Sequence, residues 1–134
     1  MKIHHLGLVT SDVDETLIAL GLERSDISES VYDPVQKNRL HFIHIRDNDL
    51  WLELVEPMAQ DASTAKFAAK FGMGLHHLAF GSDDLEATEK SYAARPSNFV
   101  LGRYQISVEA FGGKIRTLFI AAKGLILEFV KVDA

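Results

Sequence analysis

Apolar and polar positions along this chain fall into two matching series. Lys2 to Val9 is a run of apolar and His positions ending at the polar cluster Thr10-Ser11-Asp12, the pattern of a strand that hands over to a capped helix. Helical spacing covers Val13 to Leu20 and stops at Gly21, after which Glu23 to Val31 alternates imperfectly and Asp33-Pro34 marks a turn. Arg39 to Ile45 and Leu50 to Val55 read as strands joined through Asp47-Asn48-Asp49 in a hairpin that Pro57 closes. The first series therefore reads βαβββ.

Gln60 to Gly72 then predicts a helical linker, with Ala65, Ala68 and Ala69 and the pair Phe67 and Phe71 at helical spacing. Beyond it the same order returns. Leu75 to Gly81 is a strand and Asp83 to Ala94 a helix, with Ser82 as its cap and Arg95-Pro96 as its stop. Three strands follow, near Phe99 to Val108, Lys114 to Ala121 and Leu125 to Val130. The expected fold class is α+β, a single domain of two tandem βαβββ modules, residues 1–57 and 74–134, around a linker at 58–73.

The repetition reaches residue identity. HHLGLV at 4–9 returns as HHLAF at 76–80, and LWLELV at 50–55 returns as LILEFV at 125–130. His5 to Glu53 is 48 residues and His77 to Glu128 is 51, while Arg39, Phe42 and Ile43 are answered by Arg116, Phe119 and Ile120. Nitrogen and oxygen donors placed by a pseudo-symmetric duplication point to one shared divalent-metal site.

Strand alternation narrows the choice of donors. His4 shares a face with Leu6 and Leu8, and His76 with Leu78 and Phe80, which read as helix-packing faces. His5 shares its face with Gly7 and Val9, and His77 with Ala79 and Gly81, so small residues leave room beside each imidazole. Glu53 lies with Trp51 and Val55, and Glu128 with Ile126 and Val130. A carboxylate on so apolar a face loses hydration worth several kcal/mol and must be paired, protonated or metal-bound. One His in a strand is ordinarily a hydrogen-bonded core residue, and one Glu is ordinarily solvated. Four in matched register shift that balance toward a site. His41 and His44 read as ordinary hydrogen-bonded sheet residues, and Trp51 as core with partial pocket exposure.

Composition bounds the chemistry. With 134 residues, 47% of them hydrophobic, the chain builds one core, and its longest apolar run falls short of the roughly 20 residues of a membrane span. Met1 to Val9 lacks the basic start and long apolar run of a secretory signal, so a soluble cytoplasmic protein is expected. The absence of cysteine removes disulfides, thiolate catalysis and Cys-rich zinc sites, leaving imidazole and carboxylate as ligands for Ni, Co, Zn, Mn or Fe. A net charge of −5 argues against nucleic acid as a partner. Residues 99–134 hold five basic against three acidic residues, a weak preference for an anionic substrate against the ordinary reading of a solvated face.

The double βαβββ pattern with HHLGLV, ELVEP, GLHHLAF and LILEF resembles the vicinal oxygen chelate superfamily of glyoxalase I, methylmalonyl-CoA epimerase, extradiol dioxygenases, fosfomycin-resistance enzymes and bleomycin-binding proteins. Nearly the whole chain takes part. ELVEP, then Ser63-Thr64-Ala65-Lys66-Phe67 and GLHHLAF, is most similar to methylmalonyl-CoA epimerases and small glyoxalase-like proteins. The resemblance implies a curved mixed sheet whose concave face holds a divalent metal (Co, Ni, Zn or Mn) at His5, Glu53, His77 and Glu128. A His, Glu, His, Glu set sets the chain apart from the extradiol and fosfomycin branches, usually two His and one Glu, and from bleomycin-type sequestration. It implies a metal-dependent isomerase or epimerase that removes a proton beside a carbonyl, with Glu128 as base and Glu53 as the second acid or base. The alternative enzyme is a glyoxalase I, or lactoylglutathione lyase, acting on a thiohemiacetal. A metal-free small-molecule or drug-binding protein stands as the non-enzymatic alternative. A homodimer is implied as well, and an acyl-CoA thioester substrate would draw on Arg103, Lys114, Arg116 and Lys123. Three features depart from the epimerase pattern: a short first helix, a short turn, Ala121-Ala122-Lys123-Gly124, and no acidic residue in Arg39 to Ile43.

Overall fold

In the computed structural model, which describes residues 1–133, the fold is α+β. The chain divides into two compact units, one of Leu6–His76 and the other of Met1–His5 together with the residues from His77 onward. The boundary thus falls inside two strands, β1 (Ile3–Thr10) and β5 (Met73–Gly81). Among the described residues no helix is long and apolar enough to cross a membrane.

In the unit of Leu6–His76 the strand order is β2-β3-β4-β1, with β2 at Ile27–Asp33, β3 at Asn38–Ile45 and β4 at Leu50–Pro57. Antiparallel β3 and β4 set Phe42 opposite Glu53 and Ile43 opposite Leu52. Helix α1 (Val13–Ala19) is capped by Asp12, whose carboxylate accepts from the Glu15 N–H at 3.1 Å. Its Val13 and Leu17 pack on Ile43, Leu52 and Leu54 with Leu6 and Leu8 alongside, the helix-packing face that alternation assigned to those leucines. The Glu53 face of the same strands meets a different helix, α2 (Ala65–Phe71), through Val9, Val55 and Ala68.

The linker is less helical than its spacing predicts, because residues before Ala65 are bonded elsewhere. Met58 N–H donates to the Lys37 carbonyl at 2.9 Å and Ser63 N–H to that of Gln36 at 3.0 Å. The Asn38 side chain donates to Ser63 Oγ at 2.9 Å and accepts from Thr64 Oγ1 at 2.8 Å. Backbone donors spent on the β2–β3 turn are lost to an intrahelical ladder.

The other unit repeats the pattern in the order β5-β8-β7-β6, with β6 at Asn98–Val108, β7 at Gly113–Ala122 and β8 at Leu125–Val132. Its sheet is mixed: β5 runs parallel to β8, and the β7 pairings with β6 and β8 are antiparallel. The chain start lies along β5, where the Gly81 N–H donates to the Lys2 carbonyl at 3.0 Å. Phe119 stands opposite Glu128, the same register as Phe42 and Glu53, so the sequence repeat is also a repeat of strand pairing. Both long hairpins turn alike. A single 3-10 turn, Arg46–Asn48 or Glu109–Phe111, is closed by a left-handed residue, Asp49 at φ 49° or Gly112 at φ 100°. Asp and Gly are among the residues that tolerate that conformation best.

Helix α3 (Leu85–Ala93) packs Leu85 and Tyr92 on Leu118, Ile120, Leu127 and Phe129. Its cap is Asp84 rather than Ser82, with the Ala87 N–H donating to Asp84 Oδ1 at 3.0 Å. Ser82 Oγ is instead engaged with Thr88 Oγ1 at 2.8 Å and accepts from the Asp84 N–H at 3.3 Å. Asp84→Ala should therefore cost about 1 kcal/mol, a fall of about 4 °C in the thermal midpoint. Calorimetric scans of wild type, Asp84→Ala and Asp84→Ser test this, since serine restores a capping oxygen and should recover most of the loss.

Candidate functional site

The site grows from the face of strands β5, β8 and β7 that α3 leaves free. Leu127 and Phe129 turn toward that helix, so Glu128 between them points to the opposite face, where parallel pairing sets it beside Ala79. His77 is two residues before Ala79 on the same face. His5 joins them from the strand start. These three side chains are buried, at 1% exposure for His5 and 4% each for His77 and Glu128.

Their polar atoms form a tight triangle. His5 Nε2 is 2.9 Å from Glu128 Oε1, His77 Nε2 is 3.1 Å from the same oxygen, and the two nitrogens are 3.2 Å apart. Phe119 meets the His77 ring edge to face at 5.6 Å between centroids, and Phe111 stacks on His5 at 6.1 Å.

With Glu128 ionised, no placement of ring protons satisfies all three contacts of this triangle. With both Nε2 atoms protonated, each donates to Glu128 but the two N–H groups confront each other. With one protonated, the other nitrogen aims a lone pair at a carboxylate oxygen that only accepts. With neither protonated, three lone pairs converge. A cation among the three atoms removes the conflict, since it takes a lone pair from each. The buried N, N, O donor set therefore fits a divalent metal of the kind imidazole and carboxylate bind.

Burial by itself would raise the Glu128 pKa. The charge and hydrogen bond of His5, then those of His77, outweigh it and hold the carboxyl well below the ordinary carboxylate range. Glu128 is thus ionised in the fold. That preference favours folding above the usual carboxylate pKa and is lost as acid carries the pH down through the lowered value.

Glu53 belongs to the other unit, where it is buried at 7% exposure on β4, opposite Phe42. Of the remaining sequence candidates, His41 is held between Ser30 Oγ at 2.7 Å and Glu56 Oε1 at 3.3 Å, an ordinary sheet network as expected. His44 stacks on Trp51 at 4.6 Å. Arg103 and Arg116 share the α3 face with Leu118, the far side of the strands from Glu128. Arg103 donates to both Glu89 oxygens at 2.6 Å, and Arg116 to Asp133 at 2.6 Å and Glu86 at 3.1 Å.

Sequence reasoning passed over His4 and Phe111. His4 Nδ1 lies 2.8 Å from His5 Nδ1, and its ring meets Phe111 edge to face at 4.4 Å. The doubled His motif was the only available signal for His4, and Phe111 had none. His76 does behave as alternation predicts, its ring against Phe67 of α2 at 5.2 Å.

Comparison with known proteins bears on this geometry. A search of curated protein sequences gives no match. Among solved structures, a substituted Streptomyces coelicolor methylmalonyl-CoA epimerase in complex with 2-nitronate-propionyl-CoA is similar at 25% identity and TM-score 0.78, covering 100% of this chain and 99% of that one. A methylmalonyl-CoA epimerase in complex with methylmalonyl-CoA and NH4+ is similar at 25% identity and TM-score 0.79, with 99% and 95% covered. The Mycobacterium tuberculosis methylmalonyl-CoA epimerase, at 21% identity and TM-score 0.79 with 99% and 89% covered, shares the fold. Residues 4–110 match the family model that spans the two His motifs and Glu53. The chain belongs to the glyoxalase/bleomycin resistance protein/dioxygenase superfamily.

Proposed function

We propose that this protein is a metal-dependent epimerase or isomerase that removes a proton beside a carbonyl, with an acyl-CoA thioester of the methylmalonyl-CoA type as substrate. The buried His5, His77 and Glu128 triangle carries the reading. With Glu53, the repeat counterpart of Glu128, these residues would hold one divalent ion. Such an ion, when bound, supplies Lewis-acid polarisation of a carbonyl oxygen.

The chain's own residues do the rest. Glu128, ionised and shielded from water, takes the proton from the carbon beside the carbonyl as the C–H electron pair moves into the developing enolate. Glu53, once loosened from the ion and carrying a proton taken from solvent, returns that proton to the opposite face as the enolate collapses. Exchange with solvent then resets both carboxyl groups. Inversion needs an acid and a base on opposite faces, and two repeat-related carboxylates answer that need.

A glyoxalase I reading has its own support, because β3 from Asn38 to Ile45 offers no acidic side chain to assist the pair. Proton transfer between adjacent carbons of a thiohemiacetal uses the same groups. Parallel assays on methylmalonyl-CoA and on the methylglyoxal–glutathione adduct separate the two. Racemisation of the thioester in the metal-loaded protein, with turnover of the adduct at least about 100-fold slower in kcat/KM, is the expected result. The reverse ratio replaces the epimerase assignment by the lyase.

A further inference from the structure

We infer that the Tyr104 hydroxyl recognises an oxygen-bearing substituent on the reacting carbon, the free carboxylate of a methylmalonyl-type thioester, and so sets which acyl groups the site accepts. The choice of substrate rests on the proposed function, whereas the placement of the hydroxyl does not. Strict alternation along β6 would turn Val100, Gly102 and Tyr104 to one face, and Val100 does pack with Leu118 and Ile120 against α3. A bulge at Leu101 intervenes. The register shifts between Val100, opposite Ile120, and Gly102, opposite Phe119. One extra residue reverses the facing of those that follow it. Gly102 and Tyr104 therefore stand on the face of Phe119 and Glu128 instead of the helix side.

Gly102 makes room for the phenol. A Cβ at that position would come within 2.6 Å of the Tyr104 hydroxyl oxygen and 2.8 Å of two ring carbons, so the hydroxyl occupies the place of a residue-102 side chain. Pairing runs from Gly102 to Phe119 and on to Glu128, which sets phenol and carboxylate in one row with Phe119 between them. The Phe119 ring meets both neighbours edge to face, Tyr104 at 5.8 Å and His77 at 5.6 Å between centroids. Tyr104 is half-buried, and among the described residues its hydroxyl has no hydrogen-bond partner. The strands that carry Tyr104 and Glu128 are two spacings apart, roughly 10 Å. A base approaching its proton and one O–H···O bond take up about 3 Å each, leaving about 4 Å, the span of roughly three covalent bonds. A carboxylate attached to the carbon that loses its proton fits that gap, and the phenol donates to it in a charge-assisted bond.

Calorimetric titration of the full chain supplied with Co2+ tests this with two ligands: methylmalonyl-CoA as the equilibrated mixture of epimers, and propionyl-CoA, which lacks the carboxylate. Wild type is compared with Tyr104→Phe, which keeps the ring against Phe119 and removes only the hydroxyl, and with Gly102→Ala, whose methyl group displaces it. Wild type should bind methylmalonyl-CoA at least about 10-fold more tightly than propionyl-CoA. Tyr104→Phe should lose at least about 10-fold in affinity for methylmalonyl-CoA and little for propionyl-CoA, the effect of one hydrogen bond to a charged group, and Gly102→Ala should follow the same pattern. An equal loss of both ligands in Tyr104→Phe overturns the inference, because that is the mark of a wall and not of oxygen recognition. So does a Tyr104→Phe protein indistinguishable from wild type, a folded Gly102→Ala protein that keeps the wild-type ratio, or a wild type with no preference between the two thioesters. Each of these leaves the thioester reading standing. A wild type that binds neither thioester overturns that reading and the inference together.

Discussion

Replacing Glu128 by glutamine should slow hydrogen exchange at the substrate carbon by about 100- to 10,000-fold, the range over which a positioned general base contributes. The amide has nearly the shape of the carboxylate but cannot accept the proton. Glu128 sits in a strand whose register, opposite Phe119 and beside Ala79, is made by backbone bonds, so the fold should survive the change. Deuterium wash-in followed by proton NMR reads the step directly, since it counts exchange even when no net epimerisation occurs. Metal content is measured on the same sample, because Glu128 is both a proposed ligand and the proposed base. Undiminished exchange in a variant that retains its metal would remove Glu128 as the base and pass the role to Glu53.

The second large effect is a metal-dependent gain in stability that vanishes when His77 is replaced. An ion that binds only the folded chain stabilises it by about 4 kcal/mol at a thousand times its dissociation constant. Protein purified without added metal and then loaded with Co2+ or Ni2+ should melt well above its chelated form, and chelation should return it to the starting point. His77→Ala should lose that difference, because one of the three atoms of the triangle is gone. The variant also takes a partner from buried Glu128, so its metal-free form should itself melt lower, and the readout is the metal-dependent difference within each protein. Equal melting with and without metal, in wild type supplied with each of Co2+, Ni2+, Zn2+ and Mn2+, would leave the triangle as a structural cluster and favour ligand binding without metal.

Much of this molecule was legible in its sequence for a local reason. Side chains in a strand alternate between faces, so LWLELV and LILEFV each place one Glu away from the leucines that meet a helix, and the same rule chose His77 over His76. The repeat added register. Glu53 opposite Phe42 and Glu128 opposite Phe119 keep the spacing that the matched motifs announced. Helix α1 stayed within one residue of its pattern because a polar cap, an apolar face and a glycine stop all agree there.

Where local signals were equivalent or distant, tertiary structure decided. Ser82 and Asp84 are both competent caps, and the choice fell to Asp84 once Ser82 turned to Thr88. The linker shed its first predicted turn because Asn38, Gln36 and Lys37, far back in the chain, claim the bonding groups of Met58, Ser63 and Thr64. His4 shows the limit most plainly. Alternation assigns it to the leucine face, but its ring is fixed by Phe111, a residue 107 positions later whose approach has no trace in local periodicity. The amino-acid sequence determined the elements, the duplicated register and the identity of the buried donors, because each follows from neighbours along the chain. Only the tertiary structure decided the N, N, O triangle and the approach of Phe111 to His4, because those depend on side chains brought together from distant parts of the chain.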